Sequence, residues 1–128
     1  AVLRIFSAYG EGLRKQVVYE LCQKIMRAKD CLEVYGTGEE TRDFIHASDV
    51  ARAVCCVAGQ KATGVYNVAS GRQTSIGELA GLLVNRLRPG LPIRFTGEGK
   101  AGNPLKWEAD VSRLHELGFG TDISLDTY

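Results

Sequence analysis

The sequence has no CxxC pair, no apolar run long enough to cross a bilayer, no marked excess of either charge and no long run of like charge. Each absence removes a class of function. The four cysteines, Cys22, Cys31, Cys55 and Cys56, lack the spacing of a redox or zinc motif. Three of them sit in apolar runs where Cys behaves as a small hydrophobe, so reduced thiols and a cytoplasmic location are expected. No stretch approaches the roughly 20 apolar residues of a membrane span, and no signal peptide is expected. Sixteen basic residues against fifteen acidic ones leave a net charge of +1, too small for a field that would hold nucleic acid or an anionic membrane. Any anion must therefore be held locally. No GxSxG elbow occurs, and no Cys has an electropositive setting with a partner His.

What is present is an ordinary globular composition: 128 residues, 45% hydrophobic and 24% charged, the size of one compact domain with a real core. The chain begins within the apolar run Val2 to Phe6, which reads as a buried strand, with no initiator Met; a fragment of a larger protein is the expectation. Ser7 to Gly12 reads as a loop. Val17, Val18, Leu21, Cys22, Ile25 and Met26 then recur at helical spacing, predicting a helix from about Gln16 to Ala28 with cations near its end. Leu32 to Tyr35 reads as a strand, Gly36 to Thr41 as a polar turn, and Arg42 to His46 as a brief extended stretch. Val50, Ala53, Val54, Val57 and Ala58 predict a second helix, capped by Ser48 or Asp49 and ended by Gly59. Val65 to Val68 is a strand, and Ser75 with Glu78 forms a capping box opening a third helix through Leu87. Ile93 to Phe95 is a strand, and Asp110 to Leu117 a short helix with Gly118 after it. The fold class is mixed α/β.

Three constellations invite chemistry. Gly97 to Gly102 matches GxGxxG after a strand, but Asn103-Pro104 follows at once where a dinucleotide fold needs a helix, a second strand and an acid, so a glycine loop is the reading. Asp43, His46 and Asp49 have the residue types of a metal site without its spacing; a structural His46 and a capping Asp49 account for them, and no metal site is expected. Arg42 sits between a glycine turn and an extended stretch, where a guanidinium can hold a diphosphate bidentately or form a plain surface ion pair.

The order of segments carries more than any one of them. Leu3-Arg4-Ile5-Phe6-Ser7-Ala8-Tyr9-Gly10, then Val34-Tyr35-Gly36-Thr37-Gly38 with Thr41-Arg42-Asp43-Phe44-Ile45-His46 and Asp49-Val50-Ala51, resemble the carboxy-terminal part of NAD(P)-dependent epimerase/dehydratases, the extended short-chain dehydrogenase/reductases acting on nucleotide sugars. Tyr66-Asn67-Val68 with Gly71, Ser75 to Leu79, and Glu108 to Phe119 continue the resemblance. It implies a small mixed α/β substrate-binding domain over residues 1–128, detached from the Rossmann partner that would bind NAD(P). The Tyr-x-x-x-Lys pair that would transfer the hydride is absent: Tyr9, Tyr19, Tyr35 and Tyr66 are followed four residues later by Leu13, Gln23, Glu39 and Ser70.

The resemblance implies that Arg42 contacts the diphosphate of a nucleoside diphosphate sugar and that Glu33 and Tyr35 flank the base. Gln16 and Val17 would lie beside the nucleotide, Ile76 would supply an apolar contact, and Lys100 and Asn103 would reach the diphosphate and ribose. Ser7 stands where the family has Asn, Lys100 where Arg is common and Asn103 where Asp is frequent, which bears on the identity of sugar and base. The expected function is the nucleotide-sugar-binding portion of such an enzyme, without catalytic residues or NAD binding of its own and inactive alone. The rivals are a stand-alone interaction module of the same fold and a relative acting on a different substrate. Deprived of its Rossmann partner, the domain would expose an apolar face and is expected to associate into dimers or larger assemblies.

Overall fold

A computed structural model describes residues 1–97 and 108–125. In chain order the elements are β1 (Val2–Ile5), β2 (Ser7–Tyr9), α1 (Gln16–Arg27), β3 (Leu32–Val34), β4 (Thr41–Arg42), β5 (Phe44–His46), α2 (Ala47–Gly59), β6 (Val65–Val68), β7 (Thr74–Ser75), α3 (Ile76–Leu87), β8 (Ile93–Phe95) and α4 (Ser112–Glu116). The mixed α/β class is as expected. The chain divides into two compact units, one of residues 1–11, 43–73 and 108–128, the other of residues 12–42 and 74–107.

In the first unit β1 pairs in parallel with β6, and β2 in parallel with β5. The core is Ile45, Ala53, Val57, Tyr66, Val68, Leu114 and Phe119. It draws on Ala53 and Val57 of α2, with Val50 beside them, which fall at the helical spacing the sequence shows; Val54 and Ala58 of the same predicted stripe are exposed. Two expectations fail here. β1 is only partly buried: Val2 and Ile5 are 59% and 50% exposed, whereas Leu3 packs against the core, so this apolar run is not covered on both faces as a continuous one would be. Helix α2 is capped by neither Ser48 nor Asp49. His46 is its N-cap, with Nδ1 accepting from the Ser48 N–H at 3.1 Å. Asp49 is fully buried in the first turn, and its carboxylate accepts from the N–H groups of Asp122 and Ile123 at 3.1 Å each and from Arg52 Nη1 at 2.7 Å. The acid that could cap its own helix instead ties down a later segment.

The second unit packs α1 against α3. Leu21, Ile25, Leu32, Val34, Leu79, Ala80 and Val84 are buried within it; Leu21, Ile25, Leu79 and Ala80 are among the expected apolar positions of the two helices, whereas Met26 and Leu87, at their far ends, are 63% and 42% exposed. Here β3 pairs in parallel with β8, and β4 pairs antiparallel with β7. Ser75 caps α3 by accepting from the Glu78 N–H at 3.0 Å, as the sequence predicts. The carbonyls left open at the end of α1 are met from α3: Arg88 Nη1 donates to Ile25 O at 3.0 Å and to Ala28 O.

The expected single extended stretch from Arg42 to His46 is two strands, β4 and β5, in different sheets. The break falls at Asp43, whose buried carboxylate accepts from the Ser70 N–H, the Ser70 hydroxyl and the Gly71 N–H, each at 2.7 Å. Helix α4 is shorter than expected, because Asp110 lies before it and accepts from the Ser112 N–H. Gly118 follows it with φ +86° and donates to His115 O, the left-handed helix ending read from the sequence.

Candidate functional site

The second unit holds six of the residues assigned to a nucleotide: Gln16, Val17, Glu33, Tyr35, Arg42 and Ile76. Ser7 belongs to the first unit, on β2 opposite Phe44. Lys100, Asn103 and most of the GxGxxG match, from residue 98 onward, lie outside the described residues.

The centre of the site is the turn between β3 and β4. Gly36 and Gly38 have φ of +104° and +83°, values that L side chains rarely adopt. Space is as restrictive as torsion at Gly38, where a Cβ would lie 2.7 Å from the Phe95 ring. The turn is braced on several sides. Gly36 N–H donates to Thr96 Oγ1 at 3.0 Å, and Gly36 O accepts from the Gly97 N–H at 2.8 Å. Gly38 O accepts from the Gly77 N–H at 2.9 Å, and Glu40 O accepts from the Ile76 N–H at 2.8 Å. Inside the turn, Glu40 Oε1 accepts from the Thr37 N–H, the Thr37 hydroxyl and the Gly38 N–H at 2.9, 2.8 and 3.1 Å. Burial works against the charged form of Glu40, but the Thr37 hydroxyl and the N–H groups of Thr37, Glu40 and Gly38 outweigh it and hold its pKa below the usual carboxylate range.

The two ends of this turn carry the two principal candidates. Tyr35, just past β3, is 52% exposed. Arg42 is half-buried on β4 opposite Thr74, and its Nη1 donates to Thr41 O at 2.7 Å. Glu33 faces Arg94 directly across the β3–β8 pair at 3.6 Å, both side chains more than half exposed, a contact worth well under about 1 kcal/mol.

Helix α1 begins beside Gln16 and Val17 in an unusual way. Gln16 has φ +71°, a conformation costing a non-glycine residue about 1–3 kcal/mol. Lys15, the N-cap, makes no side-chain cap, and the first turn has no acidic residue. The positive end of the helix is thus left without a negative group of its own.

An open cleft of about 760 Å³ in this unit is lined by Tyr19, Gln23, Lys24, Arg27, Glu33 and Tyr35, among others. Glu33 and Tyr35 are therefore brought together, whereas Gln16, Val17, Arg42 and Ile76 do not line this cleft. The α1 residues were missed in the sequence, although Tyr19, Gln23 and Arg27 recur at i, i+4 and i+8 and so share one helix face. A polar helix face reads as solvated until a strand is seen alongside it.

Among the described residues no group of three or more His, Cys, Asp or Glu is placed to hold a metal ion. Asp43 and Asp49 are each committed to backbone N–H groups. The four cysteines are free thiols, and burial pushes the pKa of Cys22 up, away from thiolate. The glycine turn after the parallel strand β3 gives the amides of Thr37 and Gly38 to Glu40 and leads into the strand β4.

Residues 1–69 match the model of the NAD dependent epimerase/dehydratase family. The chain belongs to this family. Among curated relatives it is 27% identical to a putative UDP-glucose 4-epimerase of Methanocaldococcus jannaschii, with 98% of this chain and 41% of that protein aligned. It is 32% identical to dTDP-4-dehydro-6-deoxy-D-allose reductase of a Streptomyces species, over 91% of this chain and 36% of that protein. Among solved structures, UDP-glucuronic acid 4-epimerase of Bacillus cereus, in complex with UDP-glucuronic acid and NAD, superposes with a TM-score of 0.82 at 25% identity. That match covers 97% of this chain and 40% of that one. The chain thus spans about two fifths of the length of the M. jannaschii and B. cereus proteins and 36% of the Streptomyces one. No helix among the described residues is long and apolar enough to cross a membrane.

Proposed function

We propose that this chain is the nucleotide-sugar-binding, carboxy-terminal portion of a sugar-nucleotide epimerase or dehydratase. Arg42 holds the diphosphate, Tyr35 flanks the base, and the start of α1 at Gln16 and Val17 lies beside the nucleotide. The observation that carries this reading is the braced turn from Gly36 to Glu40, which has an exposed tyrosine at one end and an arginine just past the other. A guanidinium presents five N–H donors in a planar fork suited to phosphate oxygens. The uncapped start of α1 adds the positive end of a helix dipole for the same kind of ligand.

The wider family fits this division of labour. The epimerase from B. cereus carries UDP-glucuronic acid and NAD together, and a Rossmann portion of the whole protein would bind NAD(P) and supply hydride transfer. This chain's own residues bind and orient the nucleotide; we assign them no catalytic step and no NAD binding. Glu33 flanks the base with Tyr35, and Ser7, Ile76, Lys100 and Asn103 complete the proposed contact set. The portion alone is inactive and, with the apolar residues of β1 exposed, self-associates.

Calorimetric titration of UDP and dTDP tests the reading. One-to-one binding by the wild type, weakened at least about tenfold by Arg42→Ala in line with loss of a charge-assisted contact, supports it. Equal affinity in the two proteins contradicts it.

A further inference from the structure

The turn that carries the proposed nucleotide contacts is held by an anion of the chain's own. Its N–H groups at Thr37 and Gly38, with glycines in the left-handed region on either side, have the form of a backbone nest that would take a phosphate or carboxylate. Glu40 fills it. One carboxylate oxygen receives three donors, and the second lies 3.3 Å from the Thr37 N–H. A Cβ on Gly36 would lie 2.6 Å from that second oxygen, so the carboxylate packs directly against the glycine backbone. The main chain of Glu40 is fixed too, through its carbonyl and the Ile76 N–H that opens α3.

We infer that Glu40 is a positioning residue for the nucleotide site: its carboxylate clamps the Gly36–Gly38 turn and so sets the spacing between Tyr35 and Arg42. This rests on the reading of those two residues as base and diphosphate contacts. A base contact and a diphosphate contact joined by a floppy loop act on the two halves of a nucleotide independently. Joined by a clamped turn they act on the whole molecule at once, and the gain appears as effective concentration. The clamp therefore matters to a ligand spanning both contacts and not to either half alone. In this reading Glu40 touches neither half: its carboxylate is folded back onto the turn, where the Thr37 N–H, the Thr37 hydroxyl and the Gly38 N–H solvate it.

The test compares wild type with Glu40→Ala, Glu40→Asp and Glu40→Gln in the intact protein, using UDP, uridine and pyrophosphate as separate probes. Glu40→Ala and Glu40→Asp, the latter one methylene too short to reach both amides, should each lose about tenfold in UDP affinity. Uridine and pyrophosphate should bind within about twofold of wild type. Glu40→Gln, whose amide oxygen still accepts, should recover most of the UDP affinity. Hydrogen exchange at Thr37 and Gly38 reads the clamp without any nucleotide: protected in wild type and Glu40→Gln, unprotected in Glu40→Ala and Glu40→Asp. Unchanged UDP affinity in a variant that has lost this protection overturns the inference, as does an equal loss for all three probes, which would make Glu40 a merely structural support. Failure of wild type to bind UDP or dTDP sinks the nucleotide reading and the positioning role with it, while unprotected amides in wild type sink the clamp alone. Arg42→Ala separates the two cases, because it should lose pyrophosphate where Glu40→Ala keeps it.

Discussion

Asp43 Oδ2 accepts a hydrogen bond from the Gly71 N–H at 2.7 Å, in the residue position immediately after Arg42. Its other oxygen takes the Ser70 N–H and hydroxyl, so one buried carboxylate joins the start of β5 to the turn beyond β6. Charge-assisted bonds of this kind are worth about 1.5–3 kcal/mol each in favourable settings. Asp43→Ala should therefore destabilise by about 3 kcal/mol or more, read as a fall in the urea midpoint with little change in slope. A midpoint within error of wild type would deny Asp43 this role.

Asp49 gives a pH dependence of definite sign. Burial alone would raise its pKa, but the N–H groups of Asp122 and Ile123 and the Arg52 guanidinium outweigh it, and the pKa falls below the usual carboxylate range. A depressed carboxylate stabilises the fold above its unfolded value and loses that contribution as pH falls through the folded one. Thermal midpoints should thus decline below about pH 4, and Asp49→Asn should flatten part of that decline. A decline of equal steepness in the variant would assign it to other groups.

Arg88 completes the end of α1, and removing it strands carbonyls of Ile25 and Ala28. Arg88→Ala should lower stability by about 1–2 kcal/mol, visible in thermal unfolding. Because these carbonyls lie at the opposite end of α1 from Gln16, UDP affinity should stay unchanged; a large affinity loss would mean that the helix as a whole shifts.

Gly38→Ala attacks the turn by geometry alone. With φ +83° and the Phe95 ring 2.7 Å from the new Cβ, the substitution should cost about 2 kcal/mol and weaken UDP binding along with stability. Retention of both would show that the turn is softer than its hydrogen bonds indicate.

The helices were the legible part of the fold. Leu21 and Ile25 on α1, and Leu79, Ala80 and Val84 on α3, sit on faces that the helical spacing of the sequence announces, and Ser75 and Gly118 mark ends through local chemistry that needs no partner. What was illegible depends on partners distant in sequence. Asp49 has the residue type of a cap, yet the N–H groups of Asp122 and Ile123 compete for it and win, leaving His46 to cap α2. Arg42 to His46 reads as one strand because nothing local shows that Ser70 and Gly71 will pull Asp43 aside. The apolar run of β1 reads as buried, although Leu3 packs against the core while Val2 and Ile5 stay exposed. At the candidate site, Arg42 and Tyr35 were picked out by residue type and resemblance, whereas Glu40 looked like any acid in a polar turn. Its role appears only when the carboxylate is seen folded back onto the amides of Thr37 and Gly38.

The central claim is that Arg42 holds a diphosphate, and a single titration tests it most directly. UDP-glucose binding to the intact protein should weaken at least about tenfold in Arg42→Ala, with Arg42→Lys intermediate because a point charge replaces the fork. Thermal stability should stay near wild type in both. Unchanged UDP-glucose affinity in a folded Arg42→Ala protein would contradict the account.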